Sequence, residues 1–195
     1  MEYQISKITN AQLDKLAIES GLPMNSLRIS MPYPYISKLI NLNWHDVLFA
    51  VENGFLLHQA TVEHAMIELE NNENYPQAVL DLACLSPEEA MYPHSIHPYI
   101  DDLANIESED KKSATNDKIM YAVLNWVFEH KECYEDPLKV VEFIYDDFDF
   151  PKSIDSFVRY KPSAQPLLGT VEANIERLFN NWKDFLNEQK AKYSV

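Results

Sequence analysis

The sequence predicts an all-α fold: a single globular domain of roughly eight or nine helices around an apolar helix at residues 118–130. Three observations carry this. Apolar residues recur mostly at helical spacing rather than in alternation. The chain of 195 residues holds only three glycines, Gly21, Gly54 and Gly169, too few for the tight hairpins of an all-β fold. The run Ile119 to Phe128 has a single polar residue, Asn125, as expected of a helix buried on all sides. With 46% hydrophobic and 24% charged residues the composition is that of a folded globular chain. That length suits one core, so residues 1–195 are read as one domain.

Thr9 can cap a first helix through about Glu19, with Leu13, Leu16 and Ala17 on one face and Gly21 just beyond. Pro23 to Pro34 holds three prolines and reads as a surface loop. Asn43 can cap a helix with Asp46 at its third position and Trp44, Val47, Leu48 and Val51 as its apolar side, ended by Gly54. Thr61 lies near the start of a helix carrying Val62, Ala65, Met66 and Leu69. Tyr75 to Leu85 fits another, with Val79, Leu80 and Leu82 inward. Ser86-Pro87-Glu88-Glu89 is a helix start, a cap followed by proline and two carboxylates at the positive dipole end. Pro93 and Pro98 keep that helix short. The polar stretch 105–116 reads as the most mobile loop. Beyond the apolar helix, Asp136-Pro137 starts a helix with Val140, Val141, Phe143 and Ile144 inward, and Pro151 starts another through about Tyr160. The last helix, Val171 to about Lys190, carries the stripe Val171, Ile175, Leu178, Phe179, Trp182, Phe185 and Leu186. Trp44, Trp126 and Trp182 fall on apolar faces and are expected in the core.

The charge is strongly uneven. Thirty-one Asp and Glu face 16 Lys and Arg, a formal net charge of −15. Residues 39–110 contain no Lys or Arg and 14 carboxylates, so this segment holds −14; the other 17 acids nearly balance all 16 bases. Such a chain lacks the cationic face that grips nucleic acid or an anionic membrane. The segment is either a solvated face that aids solubility or a docking surface for a basic protein partner. On the docking reading, Glu63, Glu68, Glu70, Glu73, Asp101 and Asp102 meet the partner. Tyr92, Tyr99 and the Tyr33–Tyr35 loop then supply aromatic anchors, against the alternative of partly buried loop packing.

No catalytic motif is present. Three scattered glycines exclude phosphate loops, nucleophile elbows and dinucleotide fingerprints, so no cofactor is expected, and the question of enzymatic activity stays open with the balance against it. Five of six histidines, His45, His58, His64, His94 and His97, lie in the acidic segment, where a negative field favours protonation. His64 with Glu68 one turn on, and His94 with His97, are candidate metal ligands, without an HExxH or a cysteine at zinc spacing. A hydrolase would need these groups to converge in one pocket. Cys84 and Cys133 are too few for a disulfide framework and are read as small core residues. The three carboxylates of Tyr145-Asp146-Asp147-Phe148-Asp149 are read as partners of Arg159 rather than as a catalytic pair. Met1 to Asn10 has no apolar signal core, and no apolar run approaches a membrane span, so a soluble cytoplasmic protein is expected.

The string Asp136-Pro-Leu … Phe148-Asp-Phe-Pro151 … Phe157-Val-Arg-Tyr160 resembles a bacterial family known as domain of unknown function 2247. So do the Asn43-Trp44 helix ending at Asn53-Gly54, the Leu124-Asn-Trp-Val-Phe128 segment and the Asn181-Trp182-Lys183 ending. The resemblance spans most of residues 36–186. It implies a bacterial cytosolic protein. Some small standalone families of this kind are encoded beside secreted toxins and act as immunity proteins. The expectation is therefore an immunity-type inhibitor that occludes a cognate basic toxin. The alternatives are a metal-assisted hydrolase and a structural or adaptor module.

Overall fold

Short polar caps and prolines fix where the helices begin. The structure, a computed structural model, describes residues 7–162 and 165–193. These contain α1 (Asn10–Glu19), α2 (Tyr33–Leu39), α3 (Trp44–Glu52), α4 (Gln59–Asn71), α5 (Gln77–Ala83), α6 (Pro93–Ile106), α7 (Glu109–Lys112), α8 (Thr115–Glu129), α9 (Pro137–Asp147) and α10 (Val171–Tyr193). Three short 3-10 turns stand between them, and the nearest thing to a strand among the described residues is one isolated bridge, Ile8 to Tyr134. The protein is all-α.

The expected caps form. Thr9 and Gln12 make a reciprocal capping box on α1, and Asn43 and Asp46 make one on α3. Asp136 accepts from the Lys139 N–H at the start of α9, with Pro137 in the first turn. Gly21 and Gly54, with φ of 69° and 71°, turn the chain just past α1 and α3, where an L side chain would be strained.

The chain divides into two compact units. One is Ile29–Ile119; the other gathers the described residues up to Arg28 and from Met120 onward. In the first, α3, α5 and the turn Glu89–Met91 pack against α6, and α2, α3 and α5 pack against α4. Its core includes Ile36, Ile40, Val47, Ala65, Val79, Leu82, Ile96 and Ile100. In the second, α1 packs on α9, and the 3-10 segment Lys152–Phe157 packs on α10. There Trp182 lies within about 6 Å of the Phe128, Phe157 and Phe179 rings. In α8, every residue from Ile119 to Leu124, and Val127, is buried.

Several sequence expectations are corrected. The stretch 105–116 is mostly helical rather than a mobile loop: it closes α6, forms α7 and opens α8. Its charges suit helix ends, with Glu109 and Asp110 in the first turn of α7 and Lys111 and Lys112 in the last. Pro32 and Pro34 do not extend a loop but start α2. Pro93 likewise starts α6, and Pro98 lies inside it, because Ile96, Ile100, Leu103 and Ala104 hold a buried stripe at helical spacing. The Ser86–Glu89 cap forms, yet yields only the 3-10 turn Glu89–Met91. Residues after Pro151 also form a 3-10 helix, ending at Phe157. Met66, Leu80, Val171 and Ile175 are exposed, so the buried stripes are narrower than periodicity suggests. Trp126 is only half-buried, beside the His130 ring. Cys84 is exposed and Cys133 half-buried, and both are free thiols. Cys84 falls at the C-cap of α5, just past the buried face.

Candidate functional site

The start of α3 organises the unit Ile29–Ile119. Asp46 is fully buried, and each of its oxygens is used. Oδ1 accepts from Thr115 Oγ1 at 2.7 Å; Oδ2 accepts from the Asn43 N–H at 3.0 Å and from Lys118 Nζ at 2.7 Å. This is a buried ion pair with hydrogen bonds to spare, the arrangement in which a buried carboxylate is tolerated. Glu107, at the C-cap of α6, reaches the same helix end. Its Oε2 accepts from the Trp44 and His45 N–H groups at 2.8 and 3.3 Å, and its Oε1 pairs with Lys111 at 2.9 Å. The positive end of the α3 dipole is thus filled by a carboxylate of the same unit.

A cavity of about 440 Å³ opens beside this network. Trp44, His64, Glu68, Glu107, Lys111 and Lys118 are among its lining residues. His64 and Glu68, one turn apart on α4, do converge here. Trp44 Nε1 donates to Glu68 at 2.6 Å, and the His64 ring meets the Trp44 ring edge-on at 4.6 Å. Tyr33 is buried and its hydroxyl lies 2.8 Å from His64 Nδ1. Burial lowers the His64 pKa to about 4, against an opposing pull from Glu107, so the ring is neutral at pH 7. A neutral ring accepts from the Tyr33 hydroxyl through Nδ1 when its proton is on Nε2.

The docking residues separate into two groups. Glu63, Glu70 and Glu73 are exposed; Glu63, Met66, Ile67 and Glu70 follow each other at helical spacing and make one mixed acidic and apolar outer stripe on α4. Asp101 and Asp102 are exposed on α6, and Tyr92 is exposed at its start, with its ring 5.5 Å from that of His94. Tyr99 is half-buried. Glu68 is instead held inward by Trp44, and Tyr33 is turned to His64, so neither is free as a contact.

The four histidine and glutamate metal candidates do not form one ligand set among the described residues. His64 and Glu68 line the cavity, His94 is exposed, and His97 belongs to a different group. One ligand atom each from Glu52, His97 and Asp101 lie within 4.8 Å of one another. His58 faces His97 edge-on, with ring centroids 6.2 Å apart. Glu52 was not among the sequence candidates; it is 45 residues from His97, and only the packing of α3 on α6 joins them.

In the other unit, Arg159 forms the expected kind of clamp with different acids. Its Nε and Nη2 donate to Glu142 at 2.8 and 2.9 Å, and Nη1 donates to Asp136 at 2.6 Å. Asp147 accepts from Ser26 N–H and Oγ at 2.9 and 3.0 Å; Asp146 accepts from Tyr160 at 2.9 Å. Asp136 and Glu142 belong to the cap and body of α9, whereas Asp146 and Asp147 at its end are taken up by Tyr160 and Ser26, and Asp149 lies beyond it in a turn of positive φ. Burial pushes the Asp147 carboxyl up to about 6, although the Ser26 bonds oppose this.

Residues 33–190 match a family model described as an uncharacterized protein conserved in bacteria (DUF2247). No curated protein and no solved structure matches the chain. No helix among the described residues is long and apolar enough to cross a membrane.

Proposed function

The chain belongs to this bacterial family, DUF2247, and from that premise we propose that it is a cytosolic binding protein of the immunity type, which neutralises a basic toxin by occluding it with the acidic surface of Ile29–Ile119. One observation supports this above others. Eleven of the 14 carboxylates in residues 39–110 are exposed, and among the described residues only Glu109 of these eleven has an ion-pair partner, Lys112. An unpaired field of this kind steers a cationic partner and speeds association. The exposed Met66, Ile67, Met91 and Tyr92 lie in the same segment and supply apolar contact area of the sort that anchors an interface.

The cavity supports a hydrolase less well. The Glu68 carboxylate is engaged by Trp44, Glu107 by α3 and Lys111, and His64 by Tyr33, so each polar group has a structural partner.

The test is co-expression with the product of the adjacent gene, followed by association kinetics at low salt. Replacing Glu63, Glu70, Glu73, Asp101 and Asp102 with Lys should slow association by about tenfold or more. Glu68 is left out because its change would disturb Trp44. An unchanged association rate, or absence of any complex, rejects the reading.

A further inference from the structure

Glu52, His97 and Asp101 come from two elements and bring one ligand atom each close together. His97 and Asp101 are four residues apart on α6, hence on one face; Glu52 ends α3, which packs on α6. Their ligand atoms lie within 4.8 Å of one another, and no Lys or Arg pairs with either carboxylate among the described residues. Two carboxylates held this close with an imidazole and no cation repel each other, and a bound cation removes that repulsion. A second imidazole, His58, stands just before α4 with its ring 6.2 Å from that of His97.

We propose that Glu52, His97 and Asp101 bind a divalent transition-metal ion, with His58 as the fourth ligand. Two imidazoles and two carboxylates are the mixed nitrogen and oxygen set that suits Zn²⁺, with bonds of about 2.0–2.2 Å. Mg²⁺ takes oxygen ligands and keeps its water, so it fits this set poorly. Glu52 and Asp101 are exposed, which leaves their side chains room to move toward an ion, while His58 stands outside the three-residue group and has to turn toward it. Ion binding would tie the end of α3 to α6 and to the start of α4.

The test is Zn²⁺ titration of the full chain by calorimetry, with Co²⁺ as a spectroscopic probe. One equivalent of Zn²⁺ should bind, with affinity reduced about tenfold or more in Glu52→Gln and in His97→Ala. The Co²⁺ visible spectrum should change in His97→Ala and in His58→Ala. His94→Ala, three residues away and outside the cluster, should bind as the unchanged chain does. Glu52→Gln alters an exposed side chain only, and circular dichroism confirms that each variant is folded. The proposal is overturned if Zn²⁺ does not bind, if Mg²⁺ binds as tightly, if Glu52→Gln or His97→Ala binds Zn²⁺ unchanged, or if His94→Ala removes the site.

Discussion

Asp46 shows how one residue can be legible in role and illegible in partnership. Its place three residues after Asn43 marks it as half of a capping box, and the box forms. That it is also fully buried against Thr115 and Lys118 depends on residues 69 and 72 positions away. Removing its carboxylate leaves Lys118 and two further donors, the Thr115 hydroxyl and the Asn43 N–H, without their acceptor, so Asp46→Ala should lower stability by about 3 kcal/mol in urea unfolding, well beyond the loss of a surface cap. Two other titrating groups have opposite effects on stability. His64 has its folded pKa lowered to about 4 by burial, so the unfolded chain binds the extra proton first. Its contribution is full above pH ~6.5 and is lost as pH falls toward 4, on the order of 2 kcal/mol. Asp147 has its folded pKa raised to about 6, so its contribution is full below pH ~4 and is lost as pH rises through 6. Its partial exposure screens the charge, which reduces the effect to about 1 kcal/mol. Stability measured from pH 4 to 7 should therefore rise less steeply with pH in His64→Gln than in the unchanged chain, and more steeply in Asp147→Asn. Identical slopes for all three would refute both assignments.

Among the helices, starts and stops written in local chemistry were readable. The Thr9, Asn43 and Asp136 caps form as their sequences direct, since a side-chain oxygen two or three residues from an unpaired N–H needs no distant partner. Prolines were ambiguous for a physical reason. The same ring that ends one helix is well placed in the first turn of the next, and only the residues that follow decide. Pro93 starts α6, and Pro98 is held inside it. Pro98 sits in the helix interior, lacks an N–H and is exposed, so Pro98→Ala should raise stability by about 1 kcal/mol or more. Thermal unfolding followed by circular dichroism checks this; a lower midpoint would mean that the proline shapes α6 in a way that packing requires. Periodicity overstated several buried faces. Met66 on α4 and Val171 and Ile175 on α10 are at apolar spacing yet exposed, because a stripe is buried only where another element covers it.

For the whole molecule, the relevant quantity is the distribution of charge. The net −15 lies almost entirely in residues 39–110, and that segment falls within the unit Ile29–Ile119. Its carboxylates do not share one purpose. Asp46, Glu68 and Glu107 are drawn into the network at the start of α3, while eleven others face solvent. Exposed like charges repel in the folded state, so added salt should stabilise this protein. Raising NaCl from about 0.02 M to about 0.5 M should increase the unfolding midpoint in calorimetry, and Lys substitutions at Glu70 and Asp101 should reduce that increase. A midpoint independent of salt would show the charges to be too dispersed to act together.

By itself the sequence determined the helical class, most helix starts, the buried character of the Ile119–Leu124 stretch and the position of the acidic segment. Each of these is set by neighbours in the chain: spacing of apolar residues, caps within three positions, composition over a window. Tertiary structure alone decided which carboxylates are inside, which acids Arg159 clamps, and that Glu52 and His97 meet. Those outcomes depend on how α3 lies against α6 and how the segment carrying Arg159 returns along α9, and packing of distant segments leaves no periodic trace along the chain.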